Sequence, residues 1–63
     1  MLADQIRERR KKQNMTQAEL AAQLNVTQGA VAQWENGLTT PAIETLMAIA
    51  KVLQCTIDAL ING

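Results

Sequence analysis

The stretch TQAELAAQLNVTQGAVAQWENG, residues 16–37, decides the fold because it encodes two short helices separated by a tight break. Thr16 and Glu19 have the spacing of a capping box, in which each side chain accepts a hydrogen bond from the other residue's backbone N–H. Thr27 can cap the second helix through its hydroxyl oxygen. The pattern predicts one helix over 17–24 and another over 28–36.

The break between these helices has the composition of a turn between crossing helices. Two short helices joined by about three residues must cross at a steep angle. Asn25 stands in the turn, where Asn tolerates positive φ, and the small Ala21 stands where the helices approach each other. The apolar residues expected to hold the pair against the rest of the chain are Leu20, Leu24, Val26, Val31 and Trp34. We therefore predict a helix-turn-helix from Gln17 to Asn36.

Outside this motif, the apolar periodicity predicts three further helices. Their expected ranges are 2–13, 41–53 and 57–61. Asn14 is expected to end the first of them, since Asn tolerates the left-handed conformation at a helix exit. Pro41 is expected at the first helical position of the fourth helix, where its missing N–H costs nothing. Thr56 can cap the fifth helix.

The composition fits packed helices better than sheets. The chain has 63 residues, enough for one domain, and 48% of them are hydrophobic, with Trp34 as the sole aromatic residue. A core of aliphatic side chains and the absence of period-two alternation favour helices. The inner stripe of the fourth helix is expected at Ile43, Leu46, Met47, Ala50 and Leu53. The prediction is an all-α, compact five-helix domain over residues 1–63.

Several classes of function are disfavoured by residues that the chain lacks. Cys55 is the single cysteine and there is no histidine, so neither an intramolecular disulfide nor a familiar zinc spacing is possible. No nucleophile stands with a base, and no carboxylate pair or glycine-rich phosphate loop occurs. We expect no catalytic residue, metal or cofactor. Neither a signal peptide nor a stretch of transmembrane length is present, so an intracellular location is expected.

The charge is unevenly distributed although the formal net charge is zero. Residues 1–12 contain five basic residues and two acidic ones, a local charge of +3, and the remainder carries −3. Such asymmetry leaves a phosphate-facing surface possible on an otherwise neutral chain. A charge run near a terminus is also commonly just solvated.

The segment QAELAAQLNVTQGAVAQWENG resembles the helix-turn-helix of the lambdoid phage Cro and repressor family. RERRKK before it and TPAIETLMAIAKVLQCTIDALING after it resemble that family's first, fourth and fifth helices, so the similarity covers nearly the whole chain. The resemblance implies a sequence-specific DNA-binding transcriptional regulator that acts as a phage-type repressor on a palindromic operator. Its third helix would enter the major groove, a docking mode for which this family is the standard example.

The resemblance also implies which residues of the third helix reach base edges. Gln28 and Gln33 match base-contacting positions, and a glutamine amide can pair bidentately with adenine. Gly29 and Ala32 lie between them and offer no hydrogen-bonding side chain, although Ala32 suits a thymine methyl group. Relatives often carry a larger residue at the position of Gly29. The alternative is that both glutamines are simply solvated on an exposed face.

Phosphate contacts are expected to frame the third helix. Gln17 opens the second helix, where backbone N–H groups and the helix dipole favour an anion. The resemblance implies that Thr27 and Asn36 touch the DNA backbone, and Thr16 is a further candidate, although capping alone explains the two threonines. It also pairs Arg10 with Glu35 in a partly buried structural ion pair, which would leave Arg10 unavailable to phosphate.

A single recognition helix reads few base pairs, so a homodimer on two half-sites is expected. The predicted interface comprises Thr56 with the exposed apolar residues Ile57 and Ile61, whereas Leu60 is expected in the core. We expect a weak dimer that forms mainly on double-stranded operator DNA, in the cytoplasm of a bacterial host. No membrane and no small-molecule substrate is expected as a partner.

Alternatives remain at this stage. The chain can be a whole Cro-like protein or the N-terminal domain of a longer repressor. An antitoxin or a restriction-control regulator of the same fold would bind its own promoter. A protein-interaction module would use the exposed apolar residues instead, and its binding would depend little on salt.

Overall fold

Five α-helices and no strand make up the computed structural model, which describes all 63 residues. The helices are α1 (Leu2–Lys12), α2 (Gln17–Leu24), α3 (Gln28–Glu35), α4 (Ile43–Val52) and α5 (Ile57–Asn62). The predicted all-α architecture is confirmed. The range of α2 agrees with the prediction, α1 and α3 each end one residue earlier, and α5 ends one residue later.

The helix starts follow from local hydrogen bonds that the sequence encodes. The Thr16 hydroxyl oxygen accepts from the Glu19 backbone N–H at 3.0 Å, and the Glu19 carboxylate accepts from the Thr16 N–H at 2.8 Å. This arrangement is the predicted capping box. Thr27 and Thr56 cap α3 and α5 by accepting from the third residue onward, at 3.2 Å and 3.0 Å. The short helices therefore begin where the sequence predicts.

The helix ends depend on residues that adopt positive φ. Asn14 has φ 55° after α1, and Asn25 has φ 61° after α2. Gly37 follows α3 with φ 72°. These positions reverse the chain direction after each helix, as expected for Asn and Gly. Gln54, between α4 and α5, also has a positive φ of 57°, which the sequence analysis did not anticipate.

The start of α4 was predicted wrongly. Pro41 does not occupy the first helical position, because Ala42 follows it with φ −61° and ψ 159°, an extended conformation that caps the helix. The helix begins only at Ile43, and its first hydrogen bond runs from the Leu46 N–H to the Ala42 carbonyl at 2.8 Å. Pro41 is instead buried, so its ring contributes apolar contact before the helix begins.

The predicted inner stripe of α4 was also wrong in two positions. Leu46, Ala50 and Leu53 are buried as predicted, but Ile43 and Met47 are 57% and 54% exposed. Ile49 is fully buried in their place. Apolar residues flank the stripe of Leu46, Ala50 and Leu53 on both sides, so stripes that add either Met47 or Ile49 satisfy the same helical period. Packing against the other helices selects the stripe that contains Ile49.

All five helices contribute to one hydrophobic core. Ile6, Leu20, Val31, Ile49 and Leu60, one residue from each helix, are completely buried. Trp34 and Ala21 lie in the same cluster, and Cys55 packs against it half-buried. The prediction that Leu60 completes the core agrees with this arrangement. The core therefore fixes α2 and α3 against the other three helices rather than against each other alone.

A buried ion pair joins α1 to α3. The Arg10 Nε donates to Glu35 Oε2 at 2.6 Å, and Arg10 Nη2 donates to Glu35 Oε1 at 2.9 Å. Arg10 Nη1 donates to the Met15 carbonyl at 2.8 Å, and the Gln17 amide donates to Glu35 Oε1 at 3.2 Å. Arg7 adds a hydrogen bond to the Glu35 carbonyl oxygen at 3.2 Å. We call these residues the Arg10–Glu35 network.

The network explains how two charges are accommodated inside so small a core. No buried side-chain nitrogen or oxygen atom lacks a hydrogen-bond partner. Burial opposes ionisation of Glu35, but the hydrogen bonds from Arg10 and Gln17 and the charges of Arg10 and Arg7 outweigh it and lower the pKa of Glu35. The hydrogen bond to Glu35 raises the pKa of Arg10. Both residues are therefore charged in the folded chain.

Replacing Glu35 by Gln is expected to destabilise the fold in a pH-dependent way. At pH 7 the loss should be roughly 3 kcal/mol, because the Arg10 charge stays buried without its counter-charge. Since the pKa of Glu35 is lowered on folding, its contribution is complete above the unfolded-state pKa, about 4.3, and is lost as pH falls through the folded value. Urea unfolding at several pH values, followed by Trp34 fluorescence, measures the difference.

Glu8→Gln is the matched control, because the Glu8 side chain is exposed on α1 and makes no hydrogen bond or ion pair within the chain. It should change the free energy of unfolding by less than about 0.5 kcal/mol at any pH. A Glu35→Gln difference that does not shrink below about pH 4 would contradict the ion-pair interpretation.

Candidate nucleic-acid interface

The helices α2 and α3 meet through the short turn at residues 25–27. The Val26 N–H donates to the Ala21 carbonyl at 3.0 Å, which closes the turn while Asn25 holds its positive φ. Ala21 is buried where the helices approach each other. The predicted helix-turn-helix is therefore present, with α3 held on its inner side by buried Val31, Trp34 and Glu35.

The outer side of α3 carries all four predicted base-contacting residues. Gln28, Gly29 and Gln33 are exposed, and Ala32 is partly exposed. Residues four apart lie one above the other on an α-helix, so positions 28 and 32 and positions 29 and 33 form two adjacent rows. The structure thus brings these four residues together on a single surface, which we call the α3 outer face.

The two glutamines of the α3 outer face differ in which of their side-chain polar atoms are free to bind a ligand. Gln28 makes no side-chain hydrogen bond within the chain, so its whole amide is available. Gln33 Oε1 lies 3.5 Å from the Thr39 hydroxyl, which is a weak contact, and the Gln33 amide nitrogen has no partner. Both residues present donors to an approaching ligand, and Gln28 also presents an unoccupied acceptor.

Gly29 is not required by the fold. A Cβ atom built at this position meets only the Thr27 Oγ1 at 3.8 Å, which is ordinary van der Waals contact, and Gly29 does not adopt a positive φ. Gly37, by contrast, has φ 72°, a backbone conformation that residues with a side chain rarely adopt. A helical glycine that the protein does not need for packing leaves the backbone of α3 open to close approach from outside.

The predicted phosphate contacts lie at the helix ends. The first two backbone N–H groups of α2, at Gln17 and Ala18, have no carbonyl acceptor in the chain, as is usual at a helix start. The Thr16 and Thr27 hydroxyl oxygens each accept a capping hydrogen bond, and their hydroxyl protons remain free to donate one to a phosphate. Asn36 is exposed at the end of α3 and its side chain is unpaired.

Gln17 has a structural role that the sequence analysis missed. Its amide donates to Glu35 Oε1 at 3.2 Å, so the side chain belongs to the Arg10–Glu35 network. The second N–H of the same amide and its carbonyl oxygen remain without a partner. Nothing in the local pattern of α2 indicates a contact eighteen residues away, so only the fold reveals it.

The basic residues of α1 are less available than their number suggests. Arg10 is buried in the ion pair, and Arg7 is shared between Asp4 at 2.9 Å and the Glu35 carbonyl. Arg9 donates to the Gln5 side chain at 3.0 Å. Lys11 and Lys12, at the end of α1, are exposed and make no ion pair. Because Gln5 is neutral, the charges of Arg9, Lys11 and Lys12 all lack an acidic partner within the chain.

The residues predicted to form a dimer interface are only partly exposed. Ile61 is 51% exposed, as expected, but Ile57 is half-buried and packs against the core, which corrects the expectation that both are exposed. Thr56 caps α5. Ile43 and Met47, which were assigned to the core, are among the exposed large hydrophobic residues. The apolar surface therefore lies more on α4 than predicted.

None of the five helices is long and apolar enough to cross a membrane. No group of three or more cysteine or acidic side chains has the arrangement of a metal site.

Comparison with known sequences identifies relatives among transcription regulators. A family described as helix-turn-helix matches residues 6–60. The chain is 41% identical over 63 residues to the repressor protein C2 of Salmonella phage P22. This match covers 100% of this chain and 29% of that protein. It is 38% identical over 60 residues to the transcriptional activator BcrR of Enterococcus faecalis, covering 95% of this chain and 29% of the relative. The chain thus spans less than a third of the length of these relatives.

Comparison with solved structures gives the same fold in two contexts. The P22 c2 repressor, crystallised in complex with a synthetic operator, has a TM-score of 0.91 at 42% identity, covering 95% of this chain and 91% of that one. The hydroxypropylphosphonic acid epoxidase from S. wedmorenis has a TM-score of 0.87 at 38% identity, covering 94% of this chain but 31% of the enzyme. The fold therefore occurs both as a repressor domain and as a minor part of an enzyme.

Gly29→Ala is expected to raise the free energy of unfolding by up to about 1 kcal/mol, because the added methyl group fits and alanine favours a helix. Urea unfolding of the free protein measures the change. Gly37→Ala is the matched control and should instead lower stability by about 1 kcal/mol, since alanine is strained at positive φ. Destabilisation by Gly29→Ala would mean that the fold itself requires this glycine.

Proposed function

Since the chain belongs to the helix-turn-helix family, we propose that it is a sequence-specific DNA-binding transcriptional regulator, a phage-type repressor that occupies a palindromic operator. The observation that carries the proposal is the α3 outer face, where polar and small residues are exposed on a helix whose inner side is buried. The P22 relative was crystallised with a synthetic operator, and its similarity over nearly the whole chain supports the same kind of ligand.

In this proposal α3 lies in the major groove and its amides read base edges. The NH₂ group and the carbonyl oxygen of the Gln28 side chain are both free, so this amide can bind an adenine bidentately through N6 and N7. Gln33, just over one turn later, offers its amide nitrogen to a second base. Gly29 and Ala32 let the helix backbone lie close to the groove, and the Ala32 methyl group can contact a thymine methyl. With two polar readers, part of the specificity is left to DNA shape.

In this proposal, contacts to DNA phosphates set the depth and the angle at which α3 lies in the major groove. The free N–H groups at the start of α2 face an anion favourably, and the second N–H of the Gln17 amide is available beside them. The hydroxyl groups of Thr16 and Thr27 can donate a proton while they cap their helices. Asn36 would donate from its side-chain amide at the other end of α3. These contacts position the helix and carry no sequence information themselves.

The proposal includes a weak homodimer that forms mainly on DNA, with Thr56, Ile57 and Ile61 near its interface. It treats the chain as a binding protein of the bacterial host cytoplasm and not as an enzyme, without catalytic residue, cofactor or small-molecule substrate. The match to the epoxidase supports only the shared fold, because it covers less than a third of that enzyme. A repressor of this kind blocks polymerase by occupying the operator.

A second candidate function is a protein-interaction module, which the exposed apolar residues Ile43 and Met47 favour. The two functions differ in their response to salt. Binding to DNA releases counterions and weakens steeply as salt rises, whereas apolar association does not.

Selection of binders from a random double-stranded DNA pool tests the proposal. We expect enrichment of a palindromic consensus whose half-sites are roughly 34 Å apart, one helical turn of DNA. Affinity for the selected sequence should fall steeply between low and moderate salt. If no sequence is enriched at low salt, the chain is not a sequence-specific DNA-binding protein.

Gln28→Ala tests the assignment of a base reader. Binding should weaken by about 1–3 kcal/mol, and the loss should be confined to one base position in each half-site. Affinities for all single-base variants of the selected site, measured at one salt concentration, give the answer. Gln23→Ala is the matched control, because Gln23 is an exposed glutamine on α2 outside the α3 outer face. A uniform loss over all sequences would assign Gln28 to the DNA backbone instead.

A further inference from the structure

Two of the side chains proposed to donate to DNA phosphates lie next to Glu35. The Gln17 amide donates to the Glu35 carboxylate at 3.2 Å and keeps its second N–H free. Asn36 is the next residue along the chain and is exposed at the end of α3. The start of α2 and the end of α3 therefore meet here. We call the region formed by Gln17, Glu35 and Asn36 the Glu35 corner.

Arg7 is a cation that the backbone holds at the Glu35 corner. Its Nη1 donates to the Glu35 carbonyl oxygen at 3.2 Å, and this carbonyl belongs to the peptide bond that joins Glu35 to Asn36. Arg10 also contacts Glu35, but Arg10 is buried and all three of its guanidinium nitrogens donate within the chain. The Arg7 side chain is 40% exposed. Of the two arginines that contact Glu35, Arg7 is therefore the one that can meet a ligand from solvent.

Asp4 is the partner of Arg7 in the free chain. Arg7 Nη2 lies 2.9 Å from Asp4 Oδ1, and the two residues are three apart on α1. The Asp4 side chain is 51% exposed. An ion pair this exposed contributes little to stability, because water screens both charges and the side chains lose freedom when they pair. A ligand that binds Arg7 more strongly can therefore displace the Asp4 carboxylate at little cost to the fold.

A phosphate group of DNA has the chemistry to displace Asp4. The guanidinium group carries five N–H donors in a planar fork, and Arg7 uses two of them within the chain. A phosphate can accept two parallel hydrogen bonds from one edge of this fork, whereas Asp4 accepts one. The bond to the Glu35 carbonyl keeps the guanidinium group in place, so little freedom is lost when the phosphate arrives.

We propose that Arg7 exchanges the Asp4 carboxylate for a phosphate group of the DNA backbone when the chain binds DNA, and that Asp4 weakens this binding by masking Arg7. The bond from Arg7 to the Glu35 carbonyl is kept throughout the exchange. The inference rests on the DNA binding of the proposed function and adds a cation to its phosphate contacts. Arg7 contacts the ligand directly, whereas Asp4 acts through Arg7.

Neutralising Asp4 tests the masking. Asp4→Asn should tighten DNA binding about three- to fivefold, because Arg7 no longer has to leave a charged partner. Glu8→Gln is the matched control, since it removes an exposed carboxylate of α1 that has no ion pair. It should change the affinity less than about twofold, because salt screens a charge that touches no ligand.

Fluorescence anisotropy at low salt measures these affinities on two duplexes of equal length. One carries the selected sequence and the other a random sequence, because a phosphate contact does not depend on the bases.

Combining Asp4→Asn with Arg7→Gln separates masking from simple repulsion of DNA by a carboxylate. Arg7→Gln alone should weaken binding about tenfold and lower the slope of log affinity against log salt by about one, because one phosphate loses its cation. In the Arg7→Gln chain, Asp4→Asn should change the affinity no more than Glu8→Gln does. Circular dichroism establishes that each variant is folded. Asp4→Asn leaves the bond to the Glu35 carbonyl intact, so its result does not depend on the stability of Arg7→Gln.

Neutral methylphosphonate linkages locate the contact on the selected duplex. Each linkage removes the charge of one phosphate, and the linkages are placed one at a time. One position in each half-site should weaken binding of the original chain and leave binding of Arg7→Gln unchanged.

Two results would overturn the inference. Equal effects of Asp4→Asn and Glu8→Gln on DNA affinity would mean that Asp4 masks nothing. An Asp4→Asn effect that persists undiminished in the Arg7→Gln chain would mean that Asp4 acts by general repulsion.

The two duplexes distinguish failure of this inference from failure of the proposed function. Enrichment of a palindromic consensus without coupling between Asp4 and Arg7 rejects only the exchange of partners. Coupling on the random duplex without any enriched sequence rejects only sequence-specific regulation. A chain that binds neither duplex at low salt rejects both.

Discussion

The buried ion pair between Arg10 and Glu35 is the constraint on which the other contacts depend. The helices α2 and α3 have eight residues each, too few to be stable alone in water. The guanidinium group binds the Glu35 carboxylate and the Met15 carbonyl, so it fixes the end of α1, the turn before α2 and the end of α3 at once. The Gln17 amide adds α2 to the same carboxylate. The crossing of the two short helices is therefore fixed by hydrogen bonds with defined directions as well as by apolar packing.

This arrangement decides which residues remain available to a ligand. Arg7 and Arg10 have hydrogen-bond partners within the chain. The basic residues of the first segment therefore add less positive charge to the surface than the sequence suggests. In the proposed complex, attraction to phosphate falls first to the N-terminal N–H groups of the helices and to Arg9, Lys11 and Lys12. Base recognition then depends on neutral amides. A chain of zero net charge can bind DNA in this way, because the few groups that attract phosphate are held by the fold in fixed directions.

Local features of the sequence predicted the fold well, and long-range contacts account for what was missed. The capping threonines and the positive φ of Asn14 and Asn25 depend on neighbouring residues, so they could be read directly. The orientation of α4 could not, because apolar residues flank its buried stripe on both sides and only packing distinguishes Ile49 from Met47. For the site, helical spacing predicted the α3 outer face, whereas the Arg10–Glu35 pair came from the family resemblance. The hydrogen bond from Gln17 had no signal in the sequence.

The separation of the two sides of α3 has an evolutionary consequence. The α3 residues that pack against the other helices point inward, and the four residues of the α3 outer face make no contact on which the core depends. Substitutions there can accumulate without a cost in folding, so the preferred binding site can diverge between related chains while the scaffold stays the same. Gly29 leaves the widest choice, since the fold accepts a side chain at that position. A lineage can therefore acquire a new target by changing a few surface positions on one helix.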